Sequence, residues 1–110
     1  MKSDIEDRII HEKVSSDFER KIVHLDNLMV VVCDFTNGPA KSPDPPHSHT
    51  HEQITYVAEG ELKFFKGDKE FHLKEGDLIT IPAAVPHCIQ ILSTTVKLID
   101  SFHPVRMDFI

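Results

Sequence analysis

The sequence predicts an all-β fold, a sandwich or barrel of short strands. From residue 20 onward short apolar or alternating runs recur, turn signals separate them at close intervals, and the one segment open to a helical turn lies before residue 20.

The elements follow in order. Residues 21–25 and 28–35 read as strands around the turn Asp26-Asn27. Residues 36–46 hold four prolines and a glycine and are an irregular loop. Residues 53–58, 61–66 and 69–73 are separated by Glu59-Gly60 and Gly67-Asp68, the pattern of consecutive hairpins. Gly76-Asp77 is a further turn, followed by a strand at 78–81, a loop at 82–86, a strand at 87–92 and a last strand at about 95–102. With 110 residues and 40% hydrophobic content, the chain is expected to form one domain over 1–110 around one core. Residues 1–19 are left as an N-terminal segment: Ile9-Ile10 among charges suits an edge strand, or a strand swapped to a partner, but equally a free terminus.

Composition narrows the function. A net charge of −6 and the lack of a dense Lys/Arg run argue against nucleic acid or an anionic membrane as partner. The first eight residues are too charged for a signal peptide, and the longest apolar run, 28–33, is too short to span a bilayer, so a soluble cytoplasmic protein is expected. Cys33 and Cys88 lie far apart in strand-like contexts without metal or redox spacing, and read as two buried thiols.

Pro45-Pro46-His47-Ser48-His49-Thr50-His51-Glu52-Gln53, with Val85-Pro86-His87 later, is a split metal-binding constellation. Two residues apart on a strand, His47 and His49 project to one side from Cα atoms about 6.6 Å apart and can share an ion. A straight continuation would carry Gln53 too far away, so the chain must turn within residues 50–52. His51 is expected beside the site rather than in it, and Glu52 is an alternative ligand if the turn is one residue different. Strand parity sets His87 beside Ile89 and Ile91, facing inward. It also puts Val96, Leu98, Asp100 and Phe102 on one face, with Lys97 and Ser101 on the other. An inward carboxylate among apolar neighbours is costly unless paired or functional, which makes Asp100 a site candidate.

His47-x-His49, three residues, Gln53, six residues and Gly60 resemble the first motif of the cupin superfamily; Gly76, five residues, Pro82 and Ala84-Val85-Pro86-His87 resemble its second. The resemblance implies a double-stranded β-helix, a jelly-roll barrel, holding one divalent transition metal ion (nickel, zinc, iron or manganese) on His47, His49, Gln53 and His87, and commonly a homodimer. This chain departs from the pattern at Gln53, where glutamate is usual, at Ala84 for glycine, and at Ile91 for asparagine. A neutral amide leaves the ion's charge uncompensated, which favours Lewis-acid handling of an anionic substrate over oxygen chemistry.

The ending Asp100-Ser101-Phe102-His103-Pro104-Val105-Arg106-Met107-Asp108-Phe109 resembles that of small single-domain cupins that include the pectin-degradation proteins. Those proteins promote conversion of 4,5-unsaturated uronates from pectin or alginate to the linear keto form. The resemblance implies a small acidic sugar as partner, with Asp100 moving a proton, Arg106 pairing with the anion and Phe102 shaping the pocket. An iron-dependent dioxygenase and a non-catalytic ligand-binding barrel are the competing expectations.

Overall fold

A computed structural model describes residues 9–109. Nine antiparallel strands make two facing sheets, a jelly-roll barrel, as the strand pattern predicts. They are β1 Ile10–Ser15, β2 Phe18–His24, β3 Met29–Phe35, β4 Glu52–Glu59, β5 Glu61–Lys66, β6 Lys69–Lys74, β7 Leu78–Ile81, β8 His87–Ile91 and β9 Val96–His103. The larger sheet runs β1-β2-β3-β9-β4-β7 and the smaller β6-β5-β8.

The N-terminal segment departs from the sequence reading. Residues 10–20 hold no helical turn: β1 and β2 form a hairpin through Ser16-Asp17. Ile22 is fully buried and β2 pairs in unbroken register with β3, so residues 18–20 are drawn into the extended chain ahead of that anchor. Strand β1 is exposed along its whole length and is an edge strand of this chain's own sheet. Of the alternatives the sequence allowed, this is the edge strand; residues 1–8 lie outside the described residues. The irregular loop at 36–46 is found as expected, as is the turn at Thr50-His51 ahead of β4.

Alternation packs the core. Ile22, Met29, Val31, Val57, Leu62, Phe64, Ile81 and Val96 are all at most 2% exposed, each burial contributing about 1.5–3 kcal/mol. Gly60, which joins β4 to β5, has φ of 89°, and a Cβ there would stand 2.2 Å from the Thr95 carbonyl oxygen. Only glycine fits that corner. Cys33 and Cys88 are buried free thiols, as expected. Among the described residues no helix is long and apolar enough to cross a membrane.

Register places the site. Met29, Phe102, Gln53 and Ile81 form one cross-strand row, and Val31, Asp100, Thr55 and Ile79 form the next. Gln53, Thr55, Asp100 and Phe102 thus lie side by side on the inner face, opposite His87 from the smaller sheet.

Candidate metal centre

Three imidazoles converge across the gap between the sheets. One ligand nitrogen each from His47, His49 and His87 lies within 4.8 Å of the others. His47 is brought in by a two-bond bridge to β8, its N–H donating to the His87 carbonyl at 3.0 Å and the His87 N–H donating back at 2.8 Å. His49 is outside any strand, so the two rings converge through loop geometry rather than strand parity. Their centroids are 5.9 Å apart, and that of His87 lies 4.4 Å from His47 and 4.9 Å from His49.

Backbone carbonyls set the tautomers. A carbonyl only accepts, so His49 Nδ1–H donates to the His51 oxygen at 3.1 Å and His87 Nδ1–H donates to the Val85 oxygen at 2.9 Å. Both rings, when neutral, present Nε2 as a lone pair. Burial first, opposed only by the Val85 carbonyl bond and reinforced by the Arg106 charge, holds the His87 pKa below 6.5. Burial also lowers His47 and His49, with the Arg106 charge and the other imidazoles adding to it. Neutral imidazole is the form a metal requires.

Gln53, 7% exposed, reaches the cluster from β4, its Oε1 lying 3.2 Å from His49 Nε2. With Nδ1 of His49 already donating, these are two lone-pair atoms facing each other. A cation between them satisfies both, so the donor set fits a divalent metal. Glu52 is exposed on the outer face of β4 and is not among the converging groups. His51 is half-buried beside His49 and Phe102, and its Nδ1 is buried without a hydrogen-bond partner.

Behind Gln53 runs a hydrogen-bonded line. The Gln53 amide donates to Thr55 Oγ1 at 2.8 Å, the Thr55 hydroxyl donates to Asp100 Oδ1 at 2.7 Å, and the Cys33 thiol donates to Asp100 Oδ2 at 3.6 Å. Burial pushes the Asp100 carboxyl up to about 6, against the pull of these donors and of Arg106. Burial and the neighbouring Asp100 charge push the Cys33 thiol up as well, so it stays protonated and able to donate.

A cupin-domain family matches residues 34–102. The chain is a cupin. It is similar to the pectin degradation protein KdgF of Dickeya dadantii, with 35% identity over 96% of both chains. The structure of KdgF from Halomonas sp. superposes on this cupin with a TM-score of 0.81 and 31% identity, over 92% of this chain and 91% of the other. The 3-hydroxyanthranilate 3,4-dioxygenase of Xenopus laevis is 32% identical over 92 residues, which are 80% of this cupin but 30% of that protein.

Asp100, Phe102 and Arg106 all line one cavity of about 190 Å³ with His47, Gln53 and His87. Phe102 is buried, with its ring edge-on to His49 at 5.7 Å. Arg106 packs its guanidinium 5.4 Å from the Phe102 centroid and 4.1 Å from that of Phe109, and donates twice to Asp108, at 2.8 and 3.3 Å. A second, more apolar groove of about 340 Å³ is lined by Leu28, Ile54, Thr80 and Pro82 among others and shares Gln53 and Phe102 with the site cavity.

Sequence reasoning passed over three residues of this cupin's site. Arg20 shares the inner face of β2 with Phe18 and Ile22, and its guanidinium stands 4.0 Å from the centroid of Phe109, the ring that Arg106 also packs against. Parity with Ile22 was the available signal, lost because residues before 20 were not read as strand. Thr55, fully buried, was legible by parity with Gln53. Phe109 carried no signal, since a 3-10 turn over Met107–Phe109 returns it to the cavity.

Proposed function

We propose that this cupin binds a divalent metal on His47, His49, Gln53 and His87 and promotes ring opening and ketonisation of 4,5-unsaturated uronates released from pectin or alginate. Near full-length similarity to KdgF supports the substrate class. The observation that carries the reading is the Gln53–Thr55–Asp100 line, which ties a carboxyl with a pKa raised to about 6 to Gln53, in one cavity with His47 and His87.

The conversion is an isomerisation. The anomeric hydroxyl loses its proton, the bond from C1 to the ring oxygen breaks with its electron pair going to that oxygen, and the resulting enolate becomes a ketone by gaining a proton at C4. One proton is taken and one returned. Asp100, titrating near neutral pH, is suited to both transfers. Arg106, with Arg20 against the same Phe109 ring, supplies the positive charge that pairs with the substrate carboxylate. Phe102 walls the pocket and excludes water. A metal held by the imidazoles would supply Lewis acidity toward the substrate's oxygen atoms.

A homodimer belongs to the same reading, supported by the exposed Leu28, Ile54 and Leu78, at 51%, 51% and 64%. Sedimentation equilibrium should give twice the monomer mass.

The deciding experiment mixes metal-loaded protein with a 4,5-unsaturated galacturonate and follows ring opening by NMR. Acceleration over the spontaneous rate is expected; none would overturn the assignment. The likeness to the Xenopus dioxygenase supports a second reading, iron-dependent oxygenation. Iron-dependent oxygen uptake with a candidate substrate would favour it, and turnover undiminished under nitrogen would exclude it.

A further inference from the structure

The geometry points to Thr55 as a positioning residue that fixes which way the Gln53 amide faces, and so which of its atoms meets a metal. This rests on the metal site of the proposed function, not on its uronate chemistry.

Hydrogen-bond counting decides the direction of the line. Ionised Asp100 can only accept, and the Thr55 hydroxyl has one hydrogen to give, so at 2.7 Å it is given to Oδ1. Thr55 Oγ1 must then accept from Gln53 at 2.8 Å, which requires the NH₂ end of the amide there. The carbonyl end is thereby turned to His49, 3.2 Å away, as the only Gln53 atom that can ligate a cation. Both oxygens of Asp100 are thus held as acceptors, Oδ1 by the Thr55 hydrogen and Oδ2 by the Cys33 thiol at 3.6 Å, which keeps the far end of the line fixed.

This gives glutamine at position 53 a reason. A glutamate there could only accept, and would place one hydroxyl hydrogen between two carboxylates. Asp100 Oδ1 would lose its donor whenever Thr55 turned to residue 53. Glutamate would also need no orientation, because its two oxygens are equivalent. Thr55 is therefore required for metal binding only when residue 53 is an amide.

That dependence is tested without substrate, by titrating Ni²⁺ into metal-free protein and measuring Kd in a double-mutant cycle. Thr55→Val should weaken Ni²⁺ about tenfold in the Gln53 background, the lower end of what loss of a ligand's supporting partner costs. Thr55→Ser, which keeps the hydroxyl, should restore affinity. In a Q53E background the same Thr55→Val change should leave Kd unaltered. Equal weakening in both backgrounds would mean that Thr55 is merely structural, and unchanged affinity in the first would mean that it does not orient the amide; either overturns the inference. If valine at 55 prevents folding, Thr55→Ala runs the same cycle. Because the readout is metal affinity, it stands or falls separately from the uronate assay.

Discussion

His49 Nε2 and Gln53 Oε1 face each other at 3.2 Å with no hydrogen available between them, because the His49 hydrogen is already given to the His51 carbonyl. A cation is what such a pair of acceptors asks for. His49→Ala should abolish tight binding of Ni²⁺ or Zn²⁺, while Gln53→Ala should weaken it by about 10- to 100-fold. Calorimetric titration of metal-free protein checks both; wild-type affinity in Gln53→Ala would exclude the amide as a ligand.

The pH response of the metal-free protein has two opposed parts. His47, His49 and His87 have folded pKa values below 6.5, so as pH falls through that value the unfolded chain takes protons first and stability is lost. Asp100 has the reverse sign: with its carboxyl at about 6, the folded protein takes the proton first, and stability is gained as pH falls from 6 towards 3.8. The histidine part by itself should lower urea midpoints between pH 7.5 and 5.5, and in the wild type the Asp100 part offsets it. In Asp100→Asn the offsetting gain is gone, and the drop should be steeper.

Asp100→Asn should also be more stable than wild type at pH 7.5, by up to about 3 kcal/mol, since a carboxylate two units from its ordinary pKa no longer has to ionise. Its kcat on the uronate should fall by about 10²- to 10⁴-fold, with Ni²⁺ affinity retained. A variant both less stable and fully active would contradict the role given to Asp100.

Two guanidiniums pack against one ring, Arg20 at 4.0 Å and Arg106 at 4.1 Å from the Phe109 centroid. Arg106→Ala should raise KM for an unsaturated uronate about 10- to 100-fold, the equivalent of one lost charge-assisted hydrogen bond, with little change in kcat. Arg20→Ala should act in the same direction. Steady-state kinetics separates this from a loss of kcat, which would assign the arginines to the chemical step instead.

Ala84 has φ of 65° and donates its N–H to the His49 carbonyl at 2.7 Å. A left-handed alanine costs about 1–2 kcal/mol, whereas glycine's extra freedom in the unfolded chain costs about 0.5–1 kcal/mol. Ala84→Gly should therefore stabilise by about 0.5 kcal/mol, read as a higher denaturant midpoint. A lower midpoint would mean that the alanine methyl contributes packing that outweighs the strain.

The sequence alone determined the strands from residue 28 onward, the turn at residues 50–52 that delivers Gln53 to the next strand, the inward parity of His87, Asp100 and Phe102, and the histidine cluster itself. All of these follow from local rules: a period of two along a strand, and turn residues with restricted backbones. The tertiary structure decided what those rules cannot reach. It folded residues 10–20 into a hairpin, brought Arg20 and Arg106 together against the Phe109 ring, and aligned Gln53, Thr55 and Asp100 into one line. Those partners lie as much as 89 residues apart in the chain, and their meeting depends on strand register and on where the last turn returns. Gln53 shows the division most clearly: its place in the motif is legible in one dimension, but the direction of its amide is set by a hydroxyl on the same strand and a carboxylate on the next.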